Sequence, residues 1–203
     1  MPASAAPIVV GVDGSKPSLR AAVMAWRIAE TTGRRLHLVY AVPELSTATL
    51  IPDVWRGARY EFRVADSRAR GKLVRALRNV LPRTVAESVV ARPGRAPIVI
   101  ADAARRTGAG MIILGSARDS RARMAQYLVR RGSWSVMVVR SAPPIRRILA
   151  AVDGSAASHA ALRAGKEYAR PFGASLRVVH VMELSELPDG ARLRASRAIA
   201  GGA

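Results

Sequence analysis

Short runs of aliphatic residues alternate along this chain with longer stretches in which apolar residues recur every three or four positions. The runs are "IVVGV" (8–12), "LHLVYAV" (36–42), "MIILG" (111–115) and "SVMVV" (135–139). Near-continuous runs of this length fit strands buried on both faces, as in a parallel sheet. "VAESVVA" (85–91) reads as a further strand. Between the first two runs, "LRAAVMAWRIAETT" (19–32) predicts a helix that stops at Gly33, a natural C-cap. Residues 54–81 predict another helix. Its apolar face is Phe62, Ala65, Ala69, Leu73, Leu77 and Val80, and Arg56, Arg59, Arg63, Arg70 and Arg78 lie largely elsewhere. Residues 94–106, with Pro97 in a first turn, and "RMAQYLVRR" (123–131) predict two more. Alternating strands and helices imply an α/β domain with a mostly parallel sheet. The first helical connection is long enough for a right-handed crossover, which makes its two strands parallel neighbours.

The pattern then starts again. "IVVGVDGS" (8–15) returns as "ILAAVDGS" (148–155), with Asp153 lying 140 positions after Asp13. At that offset the two segments align without a gap. Ser18 falls on Ser158, Ala29 on Ala169, Gly33 on Gly173, Leu36 on Leu176 and Val39 on Val179. A gapless match over some thirty residues signals internal duplication. Residues 142–145 read as a linker between a complete first domain (1–141) and a truncated second copy (146–203) that carries only β-α-β. The tail from 189 onwards reads as a frayed helix or disorder.

Composition narrows the classes. The chain has 203 residues, half of them apolar, which suffices for a buried core and excludes global disorder. Cysteine is absent, which excludes disulfide scaffolds and thiolate metal sites and fits a cytoplasmic protein. No signal peptide and no membrane-length apolar run are seen. Lys and Arg number 33 against 14 Asp and Glu, a net charge of +19. Such a chain attracts polyanions non-specifically. The cations are scattered over the whole length, which is the pattern of solvated helix faces. His37, His159 and His180 fall in different elements and suggest neither a metal cluster nor a catalytic triad.

In open parallel sheets, ligands sit beyond the C-terminal strand ends, where the strand order reverses. Asp13-Gly14-Ser15 follows the first strand and Gly115-Ser116 follows "MIIL", so both turns open at one edge. A carboxylate there can bond ribose hydroxyls or an adenine amine, and the N–H groups of a Gly-Ser turn can hold phosphate. The alternative is that Asp13 caps a helix and Gly115 makes a turn.

These segments resemble the universal stress protein family. "IVVGVDGS" looks like the family's opening strand and turn. "ARPGRAPIVIADAARRTGAGMIILGSARDS" is similar to its helix and "aDlIvlGsrG" stretch, and "GSWSVMVVR" looks like its closing strand. The likeness covers residues 7–140 as a whole domain and 146 to about 184 as the start of a second, a tandem form with an incomplete second domain. The resemblance implies an open five-stranded parallel sheet in the order 3-2-1-4-5, sandwiched by helices, of the adenine-nucleotide alpha-hydrolase-like kind. It also implies a non-enzymatic role in stress survival, ATP binding in many members, and dimers formed through the fifth strands, here 136–139. An exposed apolar edge needs cover, which points the same way.

The family's ATP-binding branch carries G-x2-G-x9-G-[S/T]. Gly115 and Ser116 match its start. Arg118 stands at the second glycine, the loop is several residues short, and Ala122-Arg123 occupies the final Gly-[S/T]. Ala and Arg restrict the close wrapping of a triphosphate that glycine permits. Arg118, Arg121 and Arg123 offer side-chain pairing with phosphate instead. By the same resemblance Asp13 matches the base-contacting Asp, and Ala41 a small apolar position beside the base. The nucleotide-site candidates are therefore Asp13, Gly14, Ser15, Ala41, Gly115, Ser116, Arg118 and Arg123, with no metal beyond magnesium carried by the nucleotide.

Four functions remain in view. The first is a nucleotide-sensing stress module. The second is a degenerate family member that works only through protein partners. The third is an enzyme, against which stands the lack of an "SGGxDS"-like loop in "VDGSKPS". The fourth is a nucleic-acid binder, against which stand sparse aromatics and no recognised binding motif.

Overall fold

The computed structural model describes residues 6–42, 67–116, 122–141 and 144–180. The chain divides into two compact units, Met1–Pro143 and Pro144–Ala203.

The first unit runs β1 (Ile8–Gly11), α1 (Lys16–Thr32), β2 (Leu36–Val42), α2 (67–78), α3 (Arg83–Glu87), β3 (Val90–Pro93), α4 (Ala96–Thr107), β4 (Met111–Gly115), α5 (Ala122–Val129) and β5 (Ser135–Val139). The strands form one five-stranded sheet in the order β3-β2-β1-β4-β5, with every neighbouring pair parallel. β1 and β4 are buried along their whole lengths, as expected of strands between two layers of helices. Val9, Val39, Ile112 and Leu114 share one apolar cluster with Val99, Ile100, Ala103 and Ala104 of α4 and Leu128 of α5. Side chains alternate along a strand, so Ile8 and Val10 point to the other face, where α1 packs on β1 and β4. α1 starts at the Ser15 cap with Pro17 in its first turn and ends at Gly33, which takes φ +68. α4 has Pro97 in its first turn.

Two expectations need correction. Residues 85–91 are not one strand. Pro82 opens a short helix, the Ala86 N–H bonds the Pro82 carbonyl at 2.9 Å, and Glu87 is held by Arg78 and by Arg83 at 2.8 Å. Extended pairing begins only at Val90, against Val39. A local helix stapled by ion pairs overrides the β-branched composition. The helix expected over 54–81 is described from 67; 54–66, with Phe62 and Ala65, lie outside the described residues. Leu73 and Leu77 are buried as the periodicity requires, but the helix closes at 78, so Val80 is exposed and Leu81 fills the core from the turn instead.

The second unit is β6 (Arg147–Val152), α6 (Ala156–Phe172) and β7 (Ser175–His180). β6 and β7 are parallel, in the register Ile148↔Leu176 to Val152↔His180. This is the β1-α1-β2 unit of the first domain repeated. α6 covers one face, and Gly165 lets it approach: a Cβ there would stand 3.1 Å from Leu176 Cδ1 and 3.7 Å from Ile148 Cγ2.

Candidate functional site

β1 and β4 are adjacent and parallel, with Val10 opposite Ile113. β2 and β3 lie on one side of this pair and β5 on the other, so the strand order reverses between β1 and β4. The turns that leave β1 and β4 therefore open together at the switch point of the sheet.

The turn after β1 is built by its own side chains. Gly14 takes φ +80, which an L side chain rarely adopts. Asp13 Oδ1 accepts the Ser15 N–H at 2.9 Å and the Ser15 hydroxyl at 2.6 Å. Ser15 Oγ in turn accepts the Ser18 N–H at 3.4 Å and caps α1. Ser18 is fully buried; its hydroxyl donates to the Ser15 carbonyl at 3.0 Å and accepts the Asp13 N–H at 3.2 Å. The Asp13 side chain is exposed at the sheet edge.

The turn after β4 is pressed against this one. A Cβ on Gly115 would lie 2.0 Å from the Pro17 carbonyl oxygen and 2.7 Å from the Ser18 nitrogen. Only glycine lets the end of β4 slide beneath the first turn of α1. Ser116 is buried, and its N–H continues the β4–β5 ladder to the Val139 carbonyl at 2.9 Å. Ala41 lies on β2 opposite Arg92, half-buried against the α4-side cluster. Arg123 is exposed in the first turn of α5. Arg118 and Arg121 lie outside the described residues.

The structure thus brings Asp13, Gly14 and Ser15 together with Gly115 and Ser116. What sequence reasoning missed is the role of Ser18, noted there only as the counterpart of Ser158 in the repeat. Its hydroxyl is the buried bolt of the turn, and the signal was the paired spacing Ser15-x-x-Ser18, repeated at Ser155-x-x-Ser158.

The repeated turn has the same geometry. Gly154 takes φ +82, Asp153 Oδ1 accepts the Ser155 N–H at 2.9 Å, and Ser158 bonds Ser155 at 3.1 and 2.9 Å. The Ser155 hydroxyl and N–H, with help from Ser158, pull the Asp153 carboxyl down to about 2. Among the described residues no strand stands beside β6 where β4 stands beside β1.

His37 is half-buried on β2; burial, and then the nearby Arg35 charge, lower its pKa. His180 Nδ1 lies 2.7 Å from the Val152 carbonyl. Among the described residues no group of His, Asp and Glu could hold a metal ion, and no helix is long and apolar enough to cross a membrane. An open groove of about 430 Å³ runs beside α2 and α3, lined by Arg70, Arg75, Arg78 and Glu87. It includes none of the switch-point residues.

Comparison with known proteins agrees with this architecture. No curated protein matches the chain. A solved universal stress protein from Archaeoglobus fulgidus is 14% identical, covering 98% of this chain and 73% of its own at a TM-score of 0.64. The universal stress protein UspA from Lactobacillus plantarum is 22% identical over 68% of this chain and 99% of its own, at 0.52. A third, from Archaeoglobus fulgidus in complex with dAMP, is 19% identical over 66% of this chain and 98% of its own, at 0.43. The universal stress protein family model matches residues 5–140 and again 144–200. With a 3-2-1-4-5 parallel sheet, two switch-point turns and two matched segments that take in most of its length, the chain belongs to the universal stress protein family.

Proposed function

We propose that this chain is a non-enzymatic, cytoplasmic stress-response module whose first unit binds an adenine nucleotide at the switch point between β1 and β4. The observation that carries this reading is the contact of the two turns: Gly115 packs on the backbone of Pro17 and Ser18, beside the exposed Asp13 carboxylate. Adenine and ribose fall to Asp13, Gly14, Ser15 and Ala41. Phosphate falls to Ser116, to Arg118 at the place of the loop's second glycine, and to Arg123 at the place of its closing Ser or Thr. ATP is the nucleotide and magnesium enters only with it. Because guanidinium groups replace glycine N–H groups, phosphate binding weakens as salt screens the pair. The working unit is a homodimer joined along β5, which pairs only with β4 among the described residues and leaves Val138 exposed.

Calorimetric titration with ATP at moderate salt tests the reading. One-site saturable binding that disappears in Asp13→Ala supports it. Absence of binding, or binding that Asp13→Ala leaves intact, overturns it. Light scattering tests the dimer, and a monomer at micromolar concentration removes that part.

A second reading is a family member that binds no nucleotide and acts through protein partners. One observation favours it: the same Asp-Gly-Ser turn forms at 153–155 without a second turn described beside it, so local capping alone accounts for the motif.

A further inference from the structure

The groove of about 430 Å³ beside α2 and α3 has a charge that its own residues do not balance. Arg70, Arg75 and Arg78 line it against one carboxylate, Glu87. Over residues 67–95 the chain carries eight Lys and Arg and one acid, again Glu87. That carboxylate is already shared between Arg78 and Arg83. Arg75 forms no ion pair among the described residues. Two of the three lining guanidinium groups are also held in place. Arg70 donates to the Val89 carbonyl at 3.3 Å, and Arg78 donates to Glu87. A guanidinium carries more N–H groups than one such bond uses. Gly71 is a second, independent observation. It stands inside α2, where glycine weakens a helix relative to alanine. Packing does not ask for it, since nothing lies within 4 Å of the position its Cβ would take. What the missing side chain does is keep the groove open among the three arginines.

We propose that this groove is an anion site, separate from the switch point, for a short chain of phosphoryl groups. Planar guanidinium forks match phosphate oxygens in pairs and exclude water poorly tolerated by neither partner, so charge and shape agree. Arg70 and Arg78 are rooted about 12 Å apart along the helix axis. Val89 holds the first and Glu87 the second, so a chain of phosphoryl groups serves both ends better than a single phosphate. Val74 is the one apolar side chain in the lining, and no aromatic ring stands there. A nucleotide base therefore has no seat, and the chemistry that fits is free condensed phosphate.

The probe is inorganic tripolyphosphate, titrated into the full-length chain by calorimetry at about 0.15 M salt, where diffuse attraction between exposed charges is largely screened. One saturable site is expected. Gly71→Leu fills the groove with a good helix former, so binding disappears while the melting temperature holds or rises. Arg75→Gln weakens binding about tenfold. Arg163→Gln, an equal loss of charge on exposed α6, leaves it unchanged. Glu87→Gln frees Arg78 and tightens binding. ATP is the second arm and keeps its affinity in Gly71→Leu; an ATP affinity that falls as well makes the phosphoryl chain the tail of a nucleotide in the same groove. Three results overturn the proposal. They are no binding of tripolyphosphate, binding that Gly71→Leu leaves intact or that Arg163→Gln weakens as much as Arg75→Gln, and binding lost in Arg123→Gln in place of Arg75→Gln, which would move the anion to the switch point.

Discussion

The β1-α1-β2 and β6-α6-β7 units share a fold, a turn and a set of caps, yet differ in what surrounds them. Ser15 and Ser155 cap their helices with the same bonds, and Gly33 and Gly173 end them with φ +68 and +58. These features depend on residues within five positions of each other, so they survive any change of surroundings. Burial does not survive. β1 is buried at every position, and of β6 only Ala150 is. The Asp-Gly-Ser turn is thus a local device. It becomes half of a candidate site only where β4 brings Gly115 against it.

Substituting matched positions tests this contrast most directly. Val9→Asp puts a carboxylate into the α4-side cluster and is expected to unfold the first unit, whereas Leu149→Asp leaves stability within about 0.5 kcal/mol. Thermal unfolding of both variants checks this, and equal losses would erase the difference between the faces. Next in size is Gly115→Ala. Its methyl would meet the Pro17 carbonyl, and a loss of about 3 kcal/mol or more is expected. Gly165→Ala, whose methyl meets only the side-chain ends of Leu176 and Ile148, should cost less than about 1 kcal/mol, both variants being measured by denaturant titration. If the two glycines tolerate alanine equally, the tight junction of the turns is wrong.

Ser18→Ala removes a buried hydroxyl with two partners and is expected to cost about 1–3 kcal/mol. Ser158→Ala, in the less covered unit, should cost less. The smallest effects come from protons. The Asp153 carboxyl sits lower folded, at about 2, than its ordinary 3.8, so its contribution is complete above the ordinary value and is lost as pH falls towards 2. His37 is also lowered, by burial first and then by Arg35. Its folded form resists protonation, so stability falls as pH drops below about 6.5, the ordinary histidine value. An Asp153→Asn chain should lose the first dependence and a His37→Gln chain the second, each followed by melting temperature against pH.

Much of the architecture was legible because strands buried on both faces advertise themselves. "LHLVYAV", "MIILG" and "SVMVV" coincide with β2, β4 and β5 to the residue. The misreading at 85–91 shows the limit. Val85 and Ala86 look like strand residues, but Pro82 and the Arg78–Glu87–Arg83 ion pairs hold them in a helix, and of those pairs Arg78–Glu87 is revealed only by the fold. Of the candidate site, the turn at 13–15 could be drawn from sequence because its bonds run between near neighbours. Gly115 could be chosen from sequence too, though for phosphate contact, whereas the structure adds a packing reason in Pro17 and Ser18.

The sequence by itself determined the duplication, the parallel α/β pattern, the end of α1 at Gly33 and the Asp-Gly-Ser turns, because each follows from local conformational preference or from period. Only the tertiary structure decided that Ser18 is fully buried, that β4 passes under α1 without room for a single methyl group, and that Val9, Leu38 and Val39 of the first copy are buried while Leu149, Val178 and Val179 of the second are exposed. Those outcomes depend on which distant segment arrives beside a residue, and a repeated sequence carries no information about a neighbour that, among the described residues, stands beside only one of its copies.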